Sequence, residues 1–338
     1  MRASVLHGIG DVRLENRQDP IPGPGQVLVR VAAVGVCGSD IHYYEHGQIG
    51  SYVIDAPLVL GHEAAGDVAA IGAGVHRVKV GARVSIEPGV PDFTCPECLA
   101  GRYHLCPAMS FYATPPHDGA FCELVLTHES FAHRVPDTMD LDTAALLEPV
   151  SVAVWACRKA AVTAGDRVLV TGAGPIGLIT LQVARAFGAT EVTVTDVQPE
   201  RLTVAAALGA TRVVNTRSAT LNHTAALEPT VLIECSGHPA ALNSGLVSLA
   251  RAGRAVLVGM GGDTASLPVS RIQERELTLT GTFRYANTWP TAIALVTSGQ
   301  VDLAPLITGH YPLEHAEAAL TASRHTPGAL KSIVQPNL

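Results

Sequence analysis

Cys37 is followed 25 positions later by the pair His62-Glu63, and both lie among glycines, in Val36-Cys37-Gly38-Ser39-Asp40 and Gly61-His62-Glu63-Ala64-Ala65-Gly66. A thiolate, an imidazole and a carboxylate are the ligand types of a catalytic zinc site, in which three protein ligands leave one position open. Two adjacent side chains in a regular strand point to opposite faces. His62 and Glu63 can therefore reach one ion only from a kinked backbone, which the glycines allow. The competing reading is a buried thiol with no relation to a surface His-Glu pair.

The remaining cysteines divide into two kinds. Cys95, Cys98 and Cys106 cluster, whereas Cys122, Cys157 and Cys235 stand alone, as Cys37 does. The total of seven is odd and is not spread like a disulfide framework. In a reducing compartment, clustered thiols read as metal ligands before they read as bridges.

A third constellation suits a dinucleotide. Val168-Leu169-Val170-Thr171 leads into Gly172-Ala173-Gly174-Pro175-Ile176-Gly177, after which a helical run begins. Alone, the glycine pattern is weak; between a strand and a helix it has the required context. The glycines permit a tight turn and close approach of a pyrophosphate to the N–H groups at the helix N-terminus. Asp196 ends the next strand, 19 residues beyond Gly177. A carboxylate there accepts the ribose hydroxyls of NAD and repels the 2′-phosphate of NADP. Arg201 is the nearby feature that could argue for NADP, and it could equally stack over adenine.

The elements that must position these groups have two textures. The first third alternates short runs such as Gln26 to Val31, Gly66 to Ile71 and Arg83 to Ile86 with Gly and Pro, which predicts a mostly antiparallel β domain. From about residue 150, strand-like runs alternate with Ala-rich stretches, the signature of βαβ units and a parallel sheet. The predicted strands there are Arg167 to Val170, Glu191 to Thr195, Thr211 to Val214, Val231 to Cys235, Arg254 to Val258 and Leu277 to Thr280. Predicted helices fill Pro175 to Phe187, Pro199 to Leu208, Ala240 to Leu249 and Trp289 to Thr297. The expected class is α/β, a doubly wound dinucleotide-binding sheet with a mostly-β second domain, and the tail after Phe283 is expected to rejoin the first domain.

Composition limits the function classes. The chain has 338 residues, 47% of them hydrophobic and 16% charged, which describes a well-cored protein of about two domains. A net charge of −7 argues against nucleic acid or an anionic membrane as the main partner. Aromatic content of 4% gives little surface for stacking single-stranded nucleic acid. No apolar run has transmembrane length, and Met1-Arg2-Ala3-Ser4 leads into strand-like sequence with no signal h-region, so a cytoplasmic protein is expected.

With these motifs placed, the chain resembles the zinc-dependent medium-chain dehydrogenases over essentially its whole length, and most of all their sorbitol (L-iditol) and xylitol dehydrogenase branch. The stretches that carry the likeness are Cys37 to Tyr44, Gly61 to Gly66, Ala113-Thr114-Pro115-Pro116-His117-Asp118-Gly119, Glu148-Pro149 and Gly281 to Pro290. The resemblance implies a GroES-like catalytic domain, residues 1–149 and 284–338, and a Rossmann NAD-binding domain, residues 150–283. It implies a catalytic zinc on Cys37, His62 and Glu63, and leaves open whether Glu148 ligates zinc as well or holds water or substrate. Asp40 is the natural acceptor for the free ring N–H of His62. Many members bind a structural zinc through four cysteines spaced C-x2-C-x2-C-x7-C. Here Cys95, Cys98 and Cys106 match the last three positions and Asp92 takes the first, an acceptable oxygen ligand in a closed tetrahedron.

The implied reaction is reversible oxidation of a secondary alcohol of a sugar alcohol to the ketose, with hydride passing to NAD. Ser39 is expected as the first proton-relay group, with His42 or a water held by Glu148 further out. The family pattern points to Tyr43, Glu148, Arg284 and Tyr285 as polar partners for a polyol and to Phe111 as an apolar wall. Cofactor contacts are expected at Gly172, Gly174, Pro175, Ile176, Gly177, Asp196, Arg201, Val258, Gly259, Met260, Thr282, Phe283 and Arg284. A simple alcohol would leave the polar groups unpaired, which favours polyols. The alternatives are a zinc alcohol or L-threonine dehydrogenase and a non-catalytic NAD-binding protein. Tetramers are common in the family, and a homotetramer is the expected assembly.

Overall fold

A computed structural model describes residues 1–218, 228–326 and 328–337. The backbone divides into two compact units, Met1–Glu148 with Leu306–Leu338, and Pro149–Pro305.

In the first unit a seven-stranded sheet is built around the strand Gln26–Gly35. Its alternating valines, Val27, Val29 and Val31, are fully buried, which a period-two pattern demands of a strand with one face on the core. Antiparallel neighbours are Glu63–Ile71, Leu124–His128 and Lys331–Gln335. Arg83–Ile86 and Ala132–Arg134 extend the sheet on one side. On the other side, Ile307–Pro312 pairs parallel with Lys331–Gln335. The expected mostly antiparallel domain is what forms, and the register Gly35↔Glu63 sets the end of the central strand against the start of its neighbour.

The second unit is a six-stranded parallel sheet. Its spatial order is Arg212–Asn215, Glu191–Asp196, Arg167–Thr171, Val231–Glu234, Arg254–Leu257 and Thr278–Gly281. Numbered along the chain this is 3-2-1-4-5-6, the doubly wound dinucleotide order. The predicted strands and helices fall within one residue of the observed ends. Helices Pro175–Ala186, Pro199–Ala207 and Pro239–Ser248 each begin with proline, whose fixed φ suits a first turn and whose missing N–H is not needed there.

The return to the first unit comes later than the sequence suggests. Residues 284–305 belong to the second unit rather than the first. Arg158 donates to Asn287 O at 2.9 Å and Thr291 Oγ1 at 2.8 Å, and Gln182 Nε2 donates to Asp302 O at 3.0 Å, so helices of this unit hold the segment. Among the described residues, no helix is long and apolar enough to cross a membrane.

Candidate metal centre and cofactor site

Cys37 follows the central strand and is the N-cap of helix Gly38–His46. Asp40, the third residue of that helix, turns back to accept the Cys37 N–H at 2.9 Å. Its other oxygen accepts the N–H of Gly61, also at 2.9 Å. One fully buried carboxylate thus ties the Cys37 segment to the His62 segment. Burial works to raise the Asp40 pKa, but His62 and the two N–H donors outweigh it and keep it lowered.

Gly61 supplies the kink. Its φ is +88°, and a Cβ there would stand 2.6 Å from the Phe121 ring. His62 lies just past this bend, and Glu63 opens the strand Glu63–Ile71. Cys37, His62 and Glu63 each bring one ligand atom into a group within 4.8 Å of one another. The His62 Nδ1 stands 3.6 Å from Asp40 Oδ1, an ion-pair separation longer than a hydrogen bond, so the short bonds of Asp40 go to backbone instead.

Two observations test whether these residues suit a cation. Glu63 Oε2 is buried with no hydrogen-bond partner among the described residues. Burial also opposes charge on the His62 ring, yet Asp40 and Cys37 together lift its pKa well above the usual value. A pocket that favours positive charge and holds an unpartnered carboxylate oxygen beside a thiol and an imidazole fits zinc.

Sequence reasoning missed two residues here. Lys331, on the strand Lys331–Gln335, is buried and donates to Glu63 Oε1 at 2.5 Å and Val36 O at 2.7 Å. Burial alone would lower its pKa; Glu63, followed by Cys37 and Glu148, reverses this and raises it. Gly35 provides room, since a Cβ there would lie 2.1 Å from Glu63 Oε2. Their signals were a lone lysine and a lone glycine in apolar runs, which read equally well as strand ends.

Of the other expected site residues of this unit, Phe111 stands beside His62 and Glu148 acts on Lys331, while Ser39, His42 and Tyr43 are placed by the helix Gly38–His46. The Phe111 ring centroid is 5.8 Å from that of His62, and Tyr43 is buried on helix Gly38–His46. Glu148 is buried in the first turn of helix Leu147–Lys159 and acts electrostatically on Lys331. Ser39 is half-buried, and His42, three residues on, is exposed with its ring edge-on to His46 at 4.6 Å.

Asp92, Cys95, Cys98 and Cys106 form a second group with ligand atoms within 4.8 Å of one another. The Cys95 and Cys98 sulfurs are 3.5 Å apart. Asp92 Oδ1 accepts the N–H groups of Cys95 at 2.9 Å and Thr94 at 2.8 Å, and these bonds lower its pKa to about 2. The Cys98 N–H points at Cys95 Sγ at 3.5 Å and the Asp92 N–H at Cys106 Sγ at 3.4 Å. Three sulfurs and one carboxylate, with backbone N–H groups aimed at two of the sulfurs, also fit a closed, four-ligand zinc site.

In the second unit Gly172 takes φ +88°, and a Cβ there would lie 3.0 Å from Ser236 backbone. A Cβ at Gly177 would stand 1.8 Å from Gly172 O, so the third glycine lets the helix seat on the turn. Gly174 caps helix Pro175–Ala186, with Ile176 in its first turn, and has no heavy atom nearer to a hypothetical Cβ than Arg201 Nη1 at 3.9 Å. Asp196 accepts the Ala173 N–H at 2.7 Å and the Gln198 N–H at 2.8 Å. Arg201 Nε is buried without a hydrogen-bond partner.

Val258, Gly259 and Met260 follow one parallel strand, and Thr282, Phe283 and Arg284 follow the next, all at carboxyl ends where such sheets bind ligands. Met260 and Phe283 are exposed, and the Arg284 guanidinium lies 4.7 Å from the Phe283 ring centre. Tyr285 is buried with its ring 5.1 Å from that of Trp289. Glu234 is a further residue that sequence reasoning missed. Buried at its strand end, it accepts the N–H groups of Ser236 at 2.8 Å and Gly237 at 3.1 Å, and so shapes the loop beside Gly172.

The chain matches the family model for the zinc-binding dehydrogenases over residues 175–298 and that for the alcohol dehydrogenase GroES-like domain over residues 23–137. Sorbitol dehydrogenase of Gallus gallus is 43% identical over 333 residues, covering 96% of this chain and 94% of that protein. Sorbitol dehydrogenase of Homo sapiens is 44% identical over 319 residues, covering 92% and 89%. Among solved structures, L-idonate 5-dehydrogenase from Escherichia coli superposes with a TM-score of 0.93 at 32% identity, covering 99% of this chain and 98% of that one. Likeness of this degree along nearly the full length shows that the chain belongs to the zinc-dependent medium-chain dehydrogenase/reductases, in their sorbitol dehydrogenase branch.

Proposed function

We propose that the protein oxidises a secondary alcohol of a sugar alcohol of the sorbitol or xylitol type to the ketose, with NAD as hydride acceptor. The observation that carries this reading is the convergence of Cys37, His62 and Glu63 around an unpartnered carboxylate oxygen. Zinc held by these residues supplies Lewis-acid polarisation of the reacting oxygen. NAD, when bound, supplies the hydride acceptor, and the chain supplies orientation.

Ser39, two residues beyond Cys37, takes the hydroxyl proton and passes it to His42, its neighbour one helical turn on. The change from half-buried Ser39 to exposed His42 gives that route a direction. Glu148 and Tyr43 bind further hydroxyls of the polyol, and Phe111 walls the site beside His62. Asp196 selects NAD by accepting from the ribose. Arg201, with Nε buried and unpartnered, contributes a contact to the adenosine half. Asp92, Cys95, Cys98 and Cys106 hold a structural zinc. We read the protein as a cytoplasmic homotetramer: its seven cysteines are all free, in keeping with a reducing compartment, and light scattering tests the tetramer.

Initial rates of NADH formation across C4 to C6 polyols, with ethanol, threonine and glycerol as controls, test the substrate class. Turnover of xylitol or sorbitol without turnover of the controls is expected. Activity on a control alone would retain the zinc and NAD assignments and move the protein to the alcohol or threonine dehydrogenases.

A further inference from the structure

Two buried charges of opposite sign brace the same pair of chain segments. Asp40 joins them through the N–H groups of Cys37 and Gly61. Lys331 joins them from the C-terminal strand, by bonds to the carbonyl of Val36, which precedes Cys37, and to the carboxylate of Glu63. Both side chains are almost wholly removed from solvent, so neither charge is screened by water and each needs its partners.

Glu63 itself is held on two sides. Lys331 takes Oε1, and the missing side chain of Gly35 leaves the space that Oε2 occupies. Among the described residues, Lys331 supplies the hydrogen bond that fixes the rotation of this carboxylate within that space. Among the described residues its second oxygen has no hydrogen-bond partner, and the other oxygen has the ammonium alone. Cys37 and His62, by contrast, are set by backbone that Asp40 ties down.

We propose that Lys331 is the positioning residue for the carboxylate ligand: it orients Glu63 towards the metal and keeps the three-ligand set assembled when no metal is present. The proposal rests on the reading that Cys37, His62 and Glu63 hold the catalytic zinc. In this arrangement Glu63 is shared between a fixed ammonium and a metal ion. Loss of the ammonium leaves the metal to order the carboxylate by itself, and partners that orient metal ligands typically contribute about 10- to 100-fold in affinity.

The test uses the full-length protein loaded with zinc or with cobalt(II), whose visible absorption reports the ligands around the ion. Lys331→Met is expected to weaken zinc at this site by about 10- to 100-fold in competition with a chelator. It should also shift the cobalt ligand-field bands while leaving the thiolate charge-transfer band from Cys37. The metal-free Lys331→Met protein should lose more thermal stability than the metal-loaded one, because only the former depends on the ammonium to offset Glu63. Adding Glu63→Gln to Lys331→Met should recover stability in the metal-free form, which separates the charge pair from a general packing defect. Unchanged zinc affinity and cobalt bands in Lys331→Met, in the face of a clear loss in Glu63→Gln, would overturn the positioning role and leave the ligand set standing. Unchanged affinity in Glu63→Gln would remove Glu63 as a ligand and the proposal with it. None of these readings depends on which alcohol the enzyme oxidises.

Discussion

Cys37 and His62 are direct ligands in this account, so removing either side chain tests it bluntly. Cys37→Ala and His62→Ala should each abolish NADH formation from polyols and lower the zinc content, read by metal analysis; normal turnover in either would contradict the ligand assignment. Asp40 acts through backbone, and its removal strands two N–H groups, the half-buried one of Cys37 and the buried one of Gly61. Asp40→Ala should destabilise the fold by about 1–3 kcal/mol for each stranded group, read as a fall in Tm, together with weaker zinc retention. An unchanged Tm would mean those donors have other partners. At this scale the two clusters that the structure brings together were legible because Cys, His and clustered thiols are rare and their spacing is informative. Lys331 was not, since its partner Glu63 lies 268 residues away and only the folded sheet brings them together.

Strands and turns deliver these groups, and glycine positions are where their delivery can be broken. Gly177→Ala places a methyl 1.8 Å from Gly172 O, so the helix Pro175–Ala186 must lift from the turn. A large rise in the KM for NAD, with zinc content unchanged, is expected from steady-state kinetics and metal analysis. Asp196 performs two tasks at this level. In the proposed function it accepts from the ribose of NAD, and in the structure it accepts the N–H of Ala173 in the glycine loop. Asp196→Ala should therefore raise the KM for NAD as well as reduce discrimination against NADP; unchanged discrimination would remove the assignment. The parallel strands were readable to within a residue because βαβ repetition leaves alternating apolar and Ala-rich runs. The segment 284–305 was misplaced because its Pro-interrupted texture resembles the first domain, whereas its attachment depends on Arg158 and Gln182, distant in sequence. Glu234 escaped for a similar reason: one acid at the end of Val231–Glu234 carries no spacing signal.

The whole molecule is expected to carry two kinds of zinc with separable consequences. In the proposed reading the three-ligand Cys37 group would leave a position open for chemistry, and the four-ligand Asp92 group would close around an ion. Asp92→Ala should lower zinc content by about one ion per chain and reduce Tm, with the KM for polyol little changed. A Tm equal to that of the parent would show that the cysteine lobe does not depend on metal. Fold class and both ligand groups could be read from one sequence because they recur as patterns. The pocket that separates one polyol from another is set by shape, where single contacts differ by only about 1–3 kcal/mol.

The proposed reaction needs zinc, NAD and a polyol together, and one measurement addresses all three. NADH formation from sorbitol and xylitol should be followed in the zinc-loaded enzyme, after chelation, and after zinc is returned. The account predicts turnover that disappears on chelation and recovers with zinc, with NAD strongly preferred over NADP. Polyol oxidation that persists at full rate in zinc-free protein would contradict it.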